Sequence, residues 1–301
     1  MSFAIDNRGD LRKQVRKAAA RQLEKAVQAL RPRSNSARSK DTSIHSARKR
    51  LKEVRALLRL VRDGLGEKQF ERENKTLRDA ARPLSEIRDA TALIEALQSL
   101  QKRYSGTVNQ NTFKSARNAL RSWRSTIRQR ILLEGKAIAR ANAVVKKARR
   151  RAEHWDLKGG SWPVLRSGLR RAYKQGHRAM ADAFKDAVDE NLHEWRKRSK
   201  DLRYQLELLH PVWPEVMKAT AAQAETLTDL LGDDHDLAVL RGLVDSELRE
   251  TLKDEAAETL KGIIDARRAD LQHSAASLSE KLFAESPEQF VERLKTYWKT
   301  A

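Results

Sequence analysis

The sequence has no cysteine, which excludes disulfides, thiolate metal sites and cysteine nucleophiles together. Only 12 glycines and 6 prolines interrupt 301 residues, and no run alternates apolar and polar residues between turn residues, so strands are not expected. No apolar stretch is long enough to span a bilayer. The first residues, MSFAIDNRGDLRKQ, lack the apolar run of a signal peptide. P-loops, other glycine-rich phosphate loops and nucleophile elbows are missing as well. Trp123, Trp155, Trp162, Trp195, Trp213 and Trp298 are scattered rather than gathered into the stacking platform of a single-strand binder. These absences point to a soluble cytoplasmic protein with no familiar catalytic motif and no cofactor.

What the chain has is positive charge: 62 Lys and Arg against 41 Asp and Glu, a formal net of +21. The excess is uneven. Residues 1–150 carry a net +24 and residues 206–301 a net −8. With 40% hydrophobic residues the chain can still build a core, so it is not a disordered polycation. A directed positive field of this kind suits a polyanionic partner.

Long stretches are rich in Ala, Leu, Arg, Lys, Glu and Gln, with apolar residues at three- and four-residue intervals, and read as helix. Expected breaks lie at 31–43, 64–67, 104–112, 157–163, 210–215 and 231–236. Three segments recur in the same order. LRKQVRKAAAR (11–21) matches LRSGLRRAYKQ (165–175), the His/Arg/Lys segment 45–55 matches 193–203, and LSEIRDATAL (84–93) matches LGDDHDLAVL (231–240). The expected architecture is therefore all-α: two four-helix bundles related by a pseudo-two-fold axis and derived from an internal duplication. A single domain would cover 1–301, with repeats at about 8–155 and 160–298.

On a helical wheel of about 100° per residue, Arg48, Lys49, Lys52, Arg55 and Arg59 share one arc with His45. Ile44, Ala47, Leu51, Val54, Leu58 and Val61 fill a neighbouring apolar arc. The second copy repeats both stripes with His193, Arg196, Lys197, Lys200 and Arg203 beside Leu192, Trp195, Leu202, Leu206 and Leu209; Ser199 replaces Leu51. Like charges at these intervals destabilise an isolated helix, and no Glu row neutralises them. A functional row is favoured over a solvated face. Cations along several turns offer successive sites to a linear chain of phosphates. Two such rows facing one another would line a groove or pore with ten or more cations.

Each histidine sits one turn from two or three cations and has no carboxylate at i+3 or i+4, so a metal site is not expected at either. The cationic neighbourhood should hold each imidazole neutral until phosphate arrives. His235–Asp236 resembles the HD pair of a metal-dependent phosphohydrolase, but the further ligands that chemistry needs are not evident. Asp233 or Asp236 is expected to cap a helix N-terminus instead.

The duplicated H-x2-R-K-x2-K-x2-R segment, Arg88–Asp89 and YKQGHR (173–178) resemble the CHAD domain, the conserved histidine α-helical domain, over about 8 to 295. The resemblance implies a stand-alone helical module of two pseudo-symmetric bundles whose basic residues bind inorganic polyphosphate without catalysis. Carried over by position, the implied site holds His45, Arg48, Lys49, Lys52, Arg55, Arg59, His193, Arg196, Lys197, Lys200, Arg203 and Tyr204. Arg12 and Arg16, matched by Arg166 and Arg170, would form a next wall, and Arg88 would join it. CHAD domains often follow a triphosphate-processing domain marked by E-x-E-x-K. Glu71, Glu73 and Lys75 fit that string, but on a helix they spread around the axis rather than share a strand face. The resemblance also makes association with polyphosphate granules an expectation. A nucleic-acid binder is the alternative, supported by net charge alone.

Overall fold

The computed structural model describes residues 3–31, 37–133 and 137–301; the side chains of 37–41, 86–88, 128 and 130–133 are outside the description. Among the described residues the chain is helical throughout, with no strand. In order the helices are α1 (Leu11–Ala29), α2 (Ala37–Leu60), a short α3 (Arg62–Leu65), α4 (Glu67–Arg103), α5 (Gln110–Leu133) and α6 (Ala137–Ala152). The second half follows with α7 (Ser161–Lys185), α8 (Asp189–Leu208), α9 (Pro214–Asp245), α10 (Asp254–Leu282) and α11 (Pro287–Thr300). A 3-10 turn at His210–Val212 joins α8 to α9.

Local chemistry sets the ends. Asp10 caps α1 by accepting from the Arg12 backbone N–H at 2.9 Å. Ser286 and Gln289 form a capping box that opens α11. Gly66, at φ 74°, turns the chain from α3 into α4, a conformation that costs glycine least. The expected breaks at 64–67, 104–112, 157–163 and 210–215 fall at or between helices. The break expected at 31–43 differs: α2 already runs from 37, and residues 32–36 are outside the description.

α1, α2, α4 and α6 pack around one another as one bundle. In the second half α7, α8 and α9 pack in succession and α11 lies against α7. α2 also packs on α7 and α8, and α4 on α9, which joins the halves. The apolar stripes drive this packing. Ile44, Ala47, Leu51, Val54, Leu58 and Val61 are all buried, as are Leu192, Trp195, Ser199, Leu202, Leu206 and Leu209. Each large apolar side chain of this kind contributes roughly 1.5–3 kcal/mol on burial. A second cluster, including Leu97, Phe113, Leu120, Leu240 and Ile264, holds the far ends of α4 and α9 against α5 and α10. Both helices carrying the basic rows are thus anchored by one face, which leaves the other free to shape a site.

α9 corrects one expectation. It runs unbroken through 231–236, so Asp233 and Asp236 lie mid-helix and cap nothing. Leu231, Leu237 and Leu240 continue its buried stripe, and tertiary burial outweighs the turn preference of Gly and Asp there.

The E-x-E-x-K string lies on α4 as expected. Glu73 is fully buried and accepts from Arg151 Nε and Nη2 at 2.8 and 2.9 Å, tying α4 to α6. Its work is structural.

Candidate functional site

The two basic rows meet. Arg48, Lys49 and Lys52 of α2 and Arg196, Lys200 and Arg203 of α8 line one cavity of about 530 Å³, with His45 and Tyr204. Two helices separated by some 150 residues in sequence converge because each turns its apolar stripe into a bundle and leaves its basic stripe beside it.

The remaining walls are acidic. Asp89 of α4 and Glu225, Asp229, Asp233 and Asp236 of α9 line the same space. Among the described residues six cations therefore face five carboxylates, a balance close to neutral rather than the ten or more cations expected of facing rows. Some of these charges are already paired. Arg48 donates to Asp89 at 3.1 Å and to the Ser85 carbonyl at 3.3 Å. Arg203 donates to Glu207 at 2.8 Å and to Glu225, and its guanidinium lies 5.5 Å from the Tyr204 ring centre. Arg196 and Lys200 differ: neither makes a hydrogen bond or ion pair among the described residues, and Arg196 Nε is buried without a partner.

Burial at this position is visible in the protonation equilibria. Lys200 is pushed well below the ordinary lysine value, by burial first and then by Arg196 and Lys52. Burial also lowers Arg196, against the opposing pull of Asp236 and Asp89. Tyr204 is raised to about 12, mainly by burial. Gly232 on α9 brings its backbone beside Arg196, where an added Cβ would sit 3.5 Å from Nε and Nη2.

His193 and His235 lie with ring centres 4.8 Å apart. Partial burial lowers both, followed by Arg196; His235 falls to about 4. Both imidazoles are neutral at neutral pH. Among the described residues no cluster of three or more His, Asp or Glu is placed to hold a metal ion.

Other residues expected at the site sit elsewhere. Arg55 donates to Asn74 on α4 at 2.9 Å, and burial together with Arg59 lowers it to about 10. Arg59 is ion-paired with Asp201 of α8, joining the two basic helices. Lys197 pairs with Glu194 at 2.7 Å on the exposed side of α8. Arg16 donates to the Trp155 carbonyl at 2.7 Å, and Arg12 is exposed on the first turn of α1. Arg166 and Arg170 pair with Glu292 and Glu288 of α11. None of these seven lines the cavity. The Arg88 side chain is outside the described residues. The residues missed from the sequence are the carboxylates of α9, whose only signal was the acidic string around His235.

These features define an all-α protein whose two halves enclose a charge-lined cavity. The family model of the CHAD domain matches residues 8–245, and the chain belongs to that family. It is similar in fold to the crystal structure of the CHAD domain from the plant Ricinus communis, with 16% identity, 95% of this chain and 96% of that chain covered, and a TM-score of 0.64. It is also similar to PptA from Streptomyces chartreusis, with 15% identity, 90% and 97% covered, and a TM-score of 0.64. No curated protein sequence matches the chain. No helix among the described residues is long and apolar enough to cross a membrane.

Proposed function

We propose that this protein binds inorganic polyphosphate as a non-catalytic module and that the chain of phosphates runs through the cavity between α2 and α8. The observation that carries the reading is the convergence of Arg48, Lys49, Lys52, Arg196 and Lys200 on one space. Arg196 and Lys200, half-buried and without a hydrogen bond or ion pair among the described residues, suit an anion that brings a charge at every step, because charge-assisted hydrogen bonds are strong. Membership of a family associated with polyphosphate binding supports the same ligand. Association with polyphosphate granules would follow from such binding.

Titration of long-chain polyphosphate, duplex DNA and single-stranded RNA at several salt concentrations tests this. Polyphosphate is expected to bind much more tightly near physiological salt. Comparable nucleic-acid affinity would favour the nucleic-acid reading, and salt slopes alone decide little because both ligands release counterions. Charge reversal of Lys49 and Lys52 is expected to weaken polyphosphate binding at least about tenfold, each lost contact being a charge-assisted one. Survival of binding in that variant, folded by circular dichroism, would place the ligand elsewhere.

A further inference from the structure

α9 sets Asp229, Asp233 and Asp236 four and three residues apart, which puts them on one helical face, and all three line the cavity opposite Arg196 and Lys200 of α8. Neither Asp229 nor Asp233 makes an ion pair or hydrogen bond among the described residues. Arg196 and Lys200 make none either, and Arg196 Nε is an orphaned buried donor. Asp229 and Asp233 thus face Arg196 and Lys200 across the space without closing on them. A pair that existed only to hold the fold would be in contact, as Arg59 and Asp201 are.

We propose that the α9 carboxylates are the cavity's own counter-anion to Arg196 and Lys200, that a phosphate chain binds by taking over that role, and that the row thereby limits affinity and keeps binding reversible. Three things follow from elementary electrostatics. A carboxylate across the cavity favours the charged forms of Arg196 and Lys200, which burial disfavours. The same carboxylate repels an entering phosphate, because both are anions. A uniformly basic cavity would have no such brake and would release its ligand slowly. Asp233 carries a sign of the crowding: its carboxyl is raised from its ordinary value, by partial burial and then by Asp236 and Asp229.

This inference rests on the polyphosphate reading, and one experiment separates the two. Long-chain polyphosphate would be titrated into the wild-type chain, into Asp229→Asn/Asp233→Asn, and into Glu250→Gln/Glu280→Gln. The last variant makes the same change in net charge on exposed residues outside the cavity. Without wild-type binding, the polyphosphate reading itself fails. With wild-type binding, the α9 variant is expected to bind about tenfold more tightly or better, a like-charge juxtaposition having been removed, with most of the gain in slower dissociation. The surface variant should stay within about twofold, as distant screened charges contribute little. Equal tightening in both variants would reduce the effect to bulk charge and overturn the proposal. Unchanged or weakened binding of the α9 variant would overturn it too. Weakening seen only with added magnesium would assign the row to cations carried by the phosphate chain.

Discussion

Lys52 of α2 and Lys200 of α8 line the same cavity from opposite halves of the chain, and the charge of Lys52 helps to push Lys200 below its ordinary value. Like charges that share one cavity repel, and an anion placed between them relieves that repulsion.

Polyphosphate binding should therefore take up protons. The folded protein holds Lys200 below the ordinary lysine value, and a neighbouring phosphate raises it again. Between those two values the free site is partly deprotonated and the complex is not. Calorimetry in buffers of different ionisation enthalpy should show net uptake at alkaline pH, reduced in Lys200→Met. Equal apparent enthalpies in all buffers for the wild type would contradict this.

Acid should weaken the fold through the histidine pair. His235 has a folded value of about 4 against an ordinary 6.5, and faces Arg196, His193, Asp89 and Lys200. The unfolded chain takes up this proton first as pH falls. The stabilising contribution is complete above 6.5 and is lost as pH drops from there through about 4. Denaturant midpoints measured between pH 7 and 4 should fall less steeply in His235→Gln than in the wild type.

Close packing of α7 against the end of α2 depends on one glycine. A Cβ on Gly168 would come within 2.0 Å of the Leu60 carbonyl oxygen, a backbone atom that cannot swing aside. Gly168→Ala should cost at least about 1–3 kcal/mol, the usual range for overpacking. Chemical denaturation measures it, and a loss below about 0.5 kcal/mol would show that the helices separate cheaply.

The outer arginines should matter little to the ligand. Arg166 and Arg170 are half-exposed and already paired with Glu292 and Glu288 of α11. Replacing either by Ala should change polyphosphate affinity by less than about threefold, in the range of exposed ion pairs. A larger loss would extend the binding surface beyond the cavity, as the positional match with Arg12 and Arg16 implied.

The basic helices were legible because their signal is local. A 3.6-residue period separates the Ile44–Val61 core stripe from the cations beside it, and residues 193–203 carry the same residue spacing. That two such rows share a cavity was a guess from symmetry, since helix period says nothing about partners 150 residues away. The acidic wall was illegible for the same reason. Gly232, Asp233 and Asp236 have the composition of a turn, and only the buried leucines on either side reveal a continuous helix. Arg170 likewise reads as one more cation of a row until Glu288, 118 residues further on, is seen to hold it.

A structure of the protein with a short polyphosphate bound tests the central claim most directly. Phosphate oxygens should lie within hydrogen-bond distance of Lys52, Arg196 and Lys200, with the chain passing between α2 and α8 and facing the α9 carboxylates. Phosphates bound only along the outer surfaces of α1 and α6, with none between α2 and α8, would contradict it.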